Sequence, residues 1–185
     1  MPKPKKYFTP STNLADDLGK KHLLEKIIVT KQVINTINIF NPKNDSDQDN
    51  SAVSIVGPYG SGKSTTALVL YHYLTNTLNT NLKKDIYSQS ILKHNKPYSK
   101  DEIKVLVGKK TSLQSSLKRL LNIQNSIVKH IKEDFIEKDK RLLIIIDEFG
   151  KYLEYASEDP KNSDVYVLQE LAELAMRSND LFKLI

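Results

Sequence analysis

Apolar residues along this chain fall into two kinds of pattern, and their alternation predicts an α/β fold. Four short runs read as strands: Ala52-Val53-Ser54-Ile55-Val56, Ile103-Lys104-Val105-Leu106-Val107, Leu142-Leu143-Ile144-Ile145-Ile146 and Leu181-Phe182-Lys183-Leu184-Ile185. The third run is apolar at every position, which suits the centre of a parallel sheet covered on both faces. Between the runs the spacing becomes helical. Ala67, Leu70, Tyr71 and Leu74 form one stripe. Leu113, Leu117, Leu120, Leu121, Ile127, Val128, Ile131, Phe135 and Ile136 predict one long helix to about residue 138, opened by Thr111 or Ser112. Val167, Leu168, Leu171, Leu174 and Ala175 predict another, capped by Asp164 and running to about residue 177. Strand and helix in strict alternation imply right-handed crossovers and therefore a mostly parallel sheet.

The flanking segments are less regular. Pro2, Pro4 and Pro10 mark an N-terminal arm up to about Ser11. Leu23, Leu24, Ile27, Ile28, Ile34, Ile37 and Phe40 predict one helix over residues 14–40, followed by a polar, turn-rich loop over 41–50. Residues 75–100 are polar and broken by Pro97, with a short helix expected around 86–92. Residues 150–162 read as a loop with a helical turn, closed by Asp159-Pro160. The chain thus divides into an arm, helix and loop (1–50) and an α/β core (51–185).

Composition narrows the class. A chain of 185 residues is long enough for one domain with a real core. The absence of cysteine rules out disulfides and thiolate metal sites. No apolar run approaches the roughly twenty residues that span a bilayer, and Met1-Pro2-Lys3-Pro4-Lys5-Lys6 is followed by no hydrophobic segment. A cytoplasmic protein without membrane contact is expected. The net charge of +6 invites a nucleic-acid partner, but the lysines are scattered (Lys20-Lys21, Lys83-Lys84, Lys109-Lys110, Lys138, Lys140) and read as solvated surface. No helix-turn-helix or zinc-finger spacing accompanies them, which leaves nucleic acid as a partner only through a larger assembly.

Two motifs carry the chemistry. Gly57-Pro58-Tyr59-Gly60-Ser61-Gly62-Lys63-Ser64 fits the phosphate-binding (Walker A) pattern G-x-x-x-x-G-K-[ST], with Thr65 following. Its glycines let backbone N–H groups turn inward onto phosphate oxygens. Lys63 supplies a mobile positive charge, the Ser64 hydroxyl can ligate Mg²⁺, and the expected helix adds the positive end of its dipole. The strand before the loop and the helix after it are the context that this motif demands. The second motif is the aliphatic run ending in Asp147-Glu148 (Walker B). In open α/β sheets ligands bind beyond the carboxyl ends of the strands, where these two carboxylates emerge. Asp147 is placed to hold Mg²⁺, and Glu148 to polarise an attacking water.

Together these motifs resemble the P-loop ATPases whose second motif ends in Asp-Glu, the group containing AAA+, STAND, RecA-like and ABC proteins. Phe149-Gly150-Lys151-Tyr152-Leu153-Glu154-Tyr155-Ala156, Asp164-Val165-Tyr166-Val167-Leu168-Gln169-Glu170-Leu171-Ala172 and the initial Tyr7-Phe8-Thr9-Pro10 are similar to the ATPase region of large bacterial AAA-like proteins. Several of those belong to antiphage or DNA-conflict systems. The resemblance implies a three-layer α/β/α P-loop fold in which the fourth strand separates the phosphate-loop strand from the carboxylate strand. It also marks Lys21, His22 and Leu23 as candidates for touching adenine, and implies a core that is incomplete where residue 185 falls within the fourth strand.

The resulting expectation is Mg²⁺-dependent ATP hydrolysis, with the phosphates cradled by residues 57–64 and slow turnover unless a cation arrives from elsewhere. Arg119 and Arg177 are candidate cations in an oligomer. The alternative is a nucleotide-gated switch that works with a protein partner or by self-association. A small-molecule kinase would want an arginine-rich lid, and arginine occurs only at 119, 141 and 177. GTP is disfavoured because no Asn-Lys-x-Asp sequence occurs.

Overall fold

In the computed structural model, which describes residues 14–40, 50–89, 97–158 and 164–185, helices alternate with short strands. A short helix α1 (Leu14–Asp17) and a 3-10 turn (Lys21–Lys26) lead to α2 (Lys31–Phe40). The phosphate-loop segment then opens into α3 (Lys63–Leu74), followed by α4 (Thr80–Gln89). Next come β1 (Ile103–Val107), α5 (Leu113–Leu121), α6 (Ile127–Asp134) and β2 (Leu142–Asp147). The last elements are α7 (Gly150–Glu158), α8 (Tyr166–Met176) and β3 (Phe182–Leu184).

The three strands form a parallel sheet in the order β1-β2-β3, with Val107 beside Asp147 and Leu142 beside Phe182. Ala52 adds a parallel bridge to Leu184 on the free side of β3. The Val53 N–H donates to the Leu184 carbonyl at 2.9 Å, and the Leu184 N–H to the Ser51 carbonyl at 2.7 Å. β3 therefore lies between the phosphate-loop segment and β2, the neighbour order that the resemblance implied.

Successive side chains of a strand point to opposite faces, and β2 feeds two cores. Leu143 and Ile145 join Leu24, Ile37, Leu68, Leu70 and Ile86, from the N-terminal helices. Leu142 and Ile144 join Leu117, Ile131, Tyr152, Leu171 and Phe182, from the later elements. Burial on both faces is why the run carries no polar residue before Asp147. Among the described residues no helix is long and apolar enough to cross a membrane.

Several expected boundaries move. Of residues 52–56 only Ala52 forms a bridge, to Leu184, and Val56 is 86% exposed. The helix expected over 14–40 is interrupted: Ile27-Ile28-Val29-Thr30 is a β-branched run, poor in helix propensity. There the Thr30 carbonyl accepts the Ile34 N–H at 3.2 Å as α2 starts. The long helix over 111–138 divides because Asn122 ends α5 in the left-handed region (φ 55°) and Ser126 caps α6. Ser112, rather than Thr111, caps α5, accepting the Ser115 N–H at 3.0 Å.

Residues 150–158 form a full helix where a loop with a helical turn was expected, and buried Tyr152 anchors them to the second core. Asp164 does not cap its own helix. Its carboxylate accepts the Ser112 hydroxyl and the Gln114 N–H (2.9 Å), so it caps α5 from across the fold. α4 begins earlier than expected, at Thr80, where Asn79 Oδ1 accepts the Leu82 N–H at 2.9 Å. The arm over 1–13, the loop over 41–49, and the expected features at 90–92 and 159–160 lie outside the described residues.

Candidate functional site

The phosphate-loop segment leaves the sheet after Val53 and turns through Pro58 to Ser61, whose N–H donates to the Pro58 carbonyl at 3.3 Å. Gly60 (φ 77°) and Gly62 (φ 84°) take the left-handed conformation that any side chain would resist by about 1–2 kcal/mol. Gly62 hands the chain to α3, and its carbonyl accepts both the Thr66 N–H (2.8 Å) and the Thr66 hydroxyl (3.0 Å). The first N–H groups of any helix have no acceptor within it, so those of α3 are directed at the loop. Lys63 Nζ donates to the carbonyls of Gly57 and Pro58, both at 2.8 Å, and so stitches the start of the loop to the helix.

Ser64 and Thr65 lie half-buried in the first turn of α3. The Ser61 hydroxyl is buried and meets no partner among the described residues. Pro58 is exposed, and Tyr59 is 98% exposed at the tip. Behind the loop, α3 is buried all round from Thr66 to His72, packed by α1 and α2 and touching β2. A helix enclosed in this way is a rigid mount for its own N-terminus.

The carboxylate half is built differently. β2 delivers Asp147 directly, and the next residue, Glu148, has φ 54°, uncommon for a side chain of its size. Three contacts hold that turn. The Glu148 N–H donates to Asp147 Oδ1 at 2.9 Å, the Glu148 carbonyl accepts the Lys151 N–H at 3.1 Å, and Lys151 Nζ meets Glu148 Oε2 at 2.5 Å. The hydrogen bond and charge of Glu148 raise the Lys151 pKa, keeping it an ammonium.

The glycine just past the end of β1 completes this half. The Gly108 N–H donates to the Asp147 carbonyl at 2.8 Å. A Cβ there would lie 2.1 Å from the Glu148 carbonyl oxygen, so the end of β1 must be bare for the carboxylate turn to fit. The signal was a glycine directly after a predicted strand. What it touches follows only from the register that sets Val107 beside Asp147.

The two halves leave the same, carboxyl-terminal edge of the sheet with β3 between the strand positions they start from, which lie two strand spacings, about 10 Å, apart. Their local contacts are separate: Lys63 is engaged within its loop, and Glu148 with Lys151. Among the described residues no cluster of three or more His, Asp or Glu side chains could hold a metal alone. The Ser64 hydroxyl and the Asp147 carboxylate are oxygen donors of the kind that Mg²⁺ takes one or two at a time from a protein.

The other candidates lie elsewhere. Arg119 is exposed in the last turn of α5, and Arg177 is exposed just past the end of α8. Lys21 and His22 are exposed and Leu23 is half-buried in the 3-10 turn. At the amino edge, Arg141 bonds both carboxylate oxygens of Glu102 at 3.1 Å and lies over the Tyr98 ring at 4.1 Å. Burial pushes the Tyr98 hydroxyl up to about 12, opposed by the Arg141 charge. Lys183 pairs with Asp180 at 2.7 Å nearby. This network satisfies itself and faces away from the loop. Comparison of the chain with protein-family models, with curated proteins and with solved structures found no match.

Proposed function

We propose that the chain is an AAA-like P-loop domain that binds ATP with Mg²⁺ and hydrolyses it. The reading is carried by one observation: a G-x-x-x-x-G-K-S loop with left-handed glycines opens a buried helix, at the sheet edge where Asp147 and Glu148 emerge. The N-terminal amides of α3 and the Lys63 ammonium favour a polyphosphate over a neutral ligand. Ser64 and Asp147 would hold Mg²⁺, which would supply neutralising charge to the phosphates.

Glu148 accepts a proton from water as the water oxygen bonds to the γ-phosphorus and the bond to the β–γ bridging oxygen breaks, giving ADP and inorganic phosphate. Hydrolysis of this kind depends on positioning and electrostatics, and a cation at the transition state adds roughly 10³–10⁵ in rate. With Arg119 and Arg177 at the C-terminal ends of α5 and α8, away from the loop in sequence, a cation from a protein partner or a second copy would raise a slow intrinsic rate. The same placement favours a second reading, a nucleotide-gated switch in which binding, not turnover, is the output.

Calorimetry with Mg²⁺ and ATP or ADP tests the site, with phosphate release measured on the same sample. Binding by the wild type and its loss in Lys63→Ala are expected. A folded wild type that binds neither nucleotide, or a Lys63→Ala variant that binds normally, would overturn the reading. Binding without phosphate release would select the switch.

A further inference from the structure

The carboxylate that the proposed reaction needs as a base is already engaged. Lys151, the second residue of α7, places Nζ 2.5 Å from Glu148 Oε2, three positions back along the chain. The backbone beneath the pair has little freedom. Gly108 closes it from β1, Asp147 Oδ1 takes its N–H, and the Lys151 N–H takes its carbonyl. Both side chains are about half exposed, so the pair is held by this geometry and not by burial. The part that can rearrange is the contact between the carboxylate and the ammonium, which rides on a flexible four-carbon stem.

We propose that Lys151 is a triphosphate sensor controlling Glu148: its ammonium holds the Glu148 carboxylate until the terminal phosphate of a bound nucleoside triphosphate draws it away. The inference rests on the phosphate-loop reading above. With Lys151 Nζ on Glu148 Oε2, the ammonium occupies the carboxylate oxygen that would otherwise face a water. A terminal phosphate presents more charge and more acceptor oxygens than one carboxylate and competes for the same donor. A diphosphate lacks that group and leaves the pair intact. The competition needs no step beyond the hydrolysis already written.

The test is a double-mutant cycle read by affinity rather than by turnover. ADP and a non-hydrolysable ATP analogue, each with Mg²⁺, are titrated into the wild type, Glu148→Gln, Lys151→Met and the double variant. Both positions are exposed at the surface, so the substitutions leave no cavity. Glu148→Gln frees the ammonium and should raise analogue affinity about two- to fivefold, the scale of one exposed charge contact, with ADP affinity unchanged. In the Lys151→Met background that gain should vanish, whereas in Lys151→Arg it should persist.

A Glu148→Gln gain of equal size with and without Lys151 would overturn the proposal, since it would reflect only removal of a negative charge. Equal shifts for ADP and the analogue would overturn it as well. A wild type that binds neither nucleotide would instead overturn the phosphate-loop reading, and the sensor with it.

Discussion

The two halves of the candidate site are held by opposite means. The loop over residues 57–64 takes its shape from its own sequence: two left-handed glycines, a turn closed on Pro58, and a lysine folded back onto its own carbonyls. The Asp147-Glu148 turn takes its shape from elsewhere in the chain, because Gly108, just past the end of the neighbouring β1, leaves the space it occupies. The first half is a local device mounted on a buried helix. The second is a tertiary one, with a strained residue kept in place by packing.

The contrast can be broken most sharply at Gly108. Substitution to Ala drives a methyl into the Glu148 carbonyl and should cost about 3 kcal/mol, seen as a lower urea midpoint with an unchanged slope. A midpoint near that of the wild type would mean that the turn is not clamped, and the distinction between the halves would fall.

A smaller effect sharpens the loop side. His72, on the helix that mounts the loop, is buried, with Nδ1 2.7 Å from the Thr77 hydroxyl. Burial, then the charge of Lys21, lowers its pKa. The unfolded chain therefore takes up the proton first as the pH falls. Stability is fully present above about pH 6.5, the unfolded value, and declines below it towards the lower folded value. Denaturant melts between pH 7.5 and 5.5 should show this decline, and His72→Gln should flatten it. A wild-type stability that does not change across that window would remove His72 as a weak point of the mount.

The smallest effect is expected at the loop tip. Tyr59 is almost wholly exposed, so Tyr59→Ala should change stability by no more than about 0.5 kcal/mol in a thermal melt. A larger loss would show that the tip is supported by more than its own backbone.

The same contrast explains what could be read from the sequence. The loop was legible because its spacing, its glycines and the helix behind it are consecutive in the chain. The central strand was legible because burial on both faces leaves an unbroken aliphatic run up to Asp147. Gly108 and Asp164 were not, since a glycine after a strand, or an aspartate before a helix, does not announce a partner some 40 or 50 positions away. The breaks at Asn122 and at Ile27-Ile28-Val29-Thr30 were missed for a different reason. Apolar spacing continued across them, and local backbone preference overrode it.

Lys63 ends with a consequence for selectivity. Its ammonium already has two carbonyl acceptors, so an anion arriving at the loop exchanges with them and does not simply add to a bare charge. An anion with one charge and few oxygens has little to offer in that exchange, whereas a polyphosphate brings several oxygens that the helix amides and the lysine can share. On the proposed reading, a loop so arranged would act as a threshold, yielding only to a ligand with enough charge to displace its own backbone.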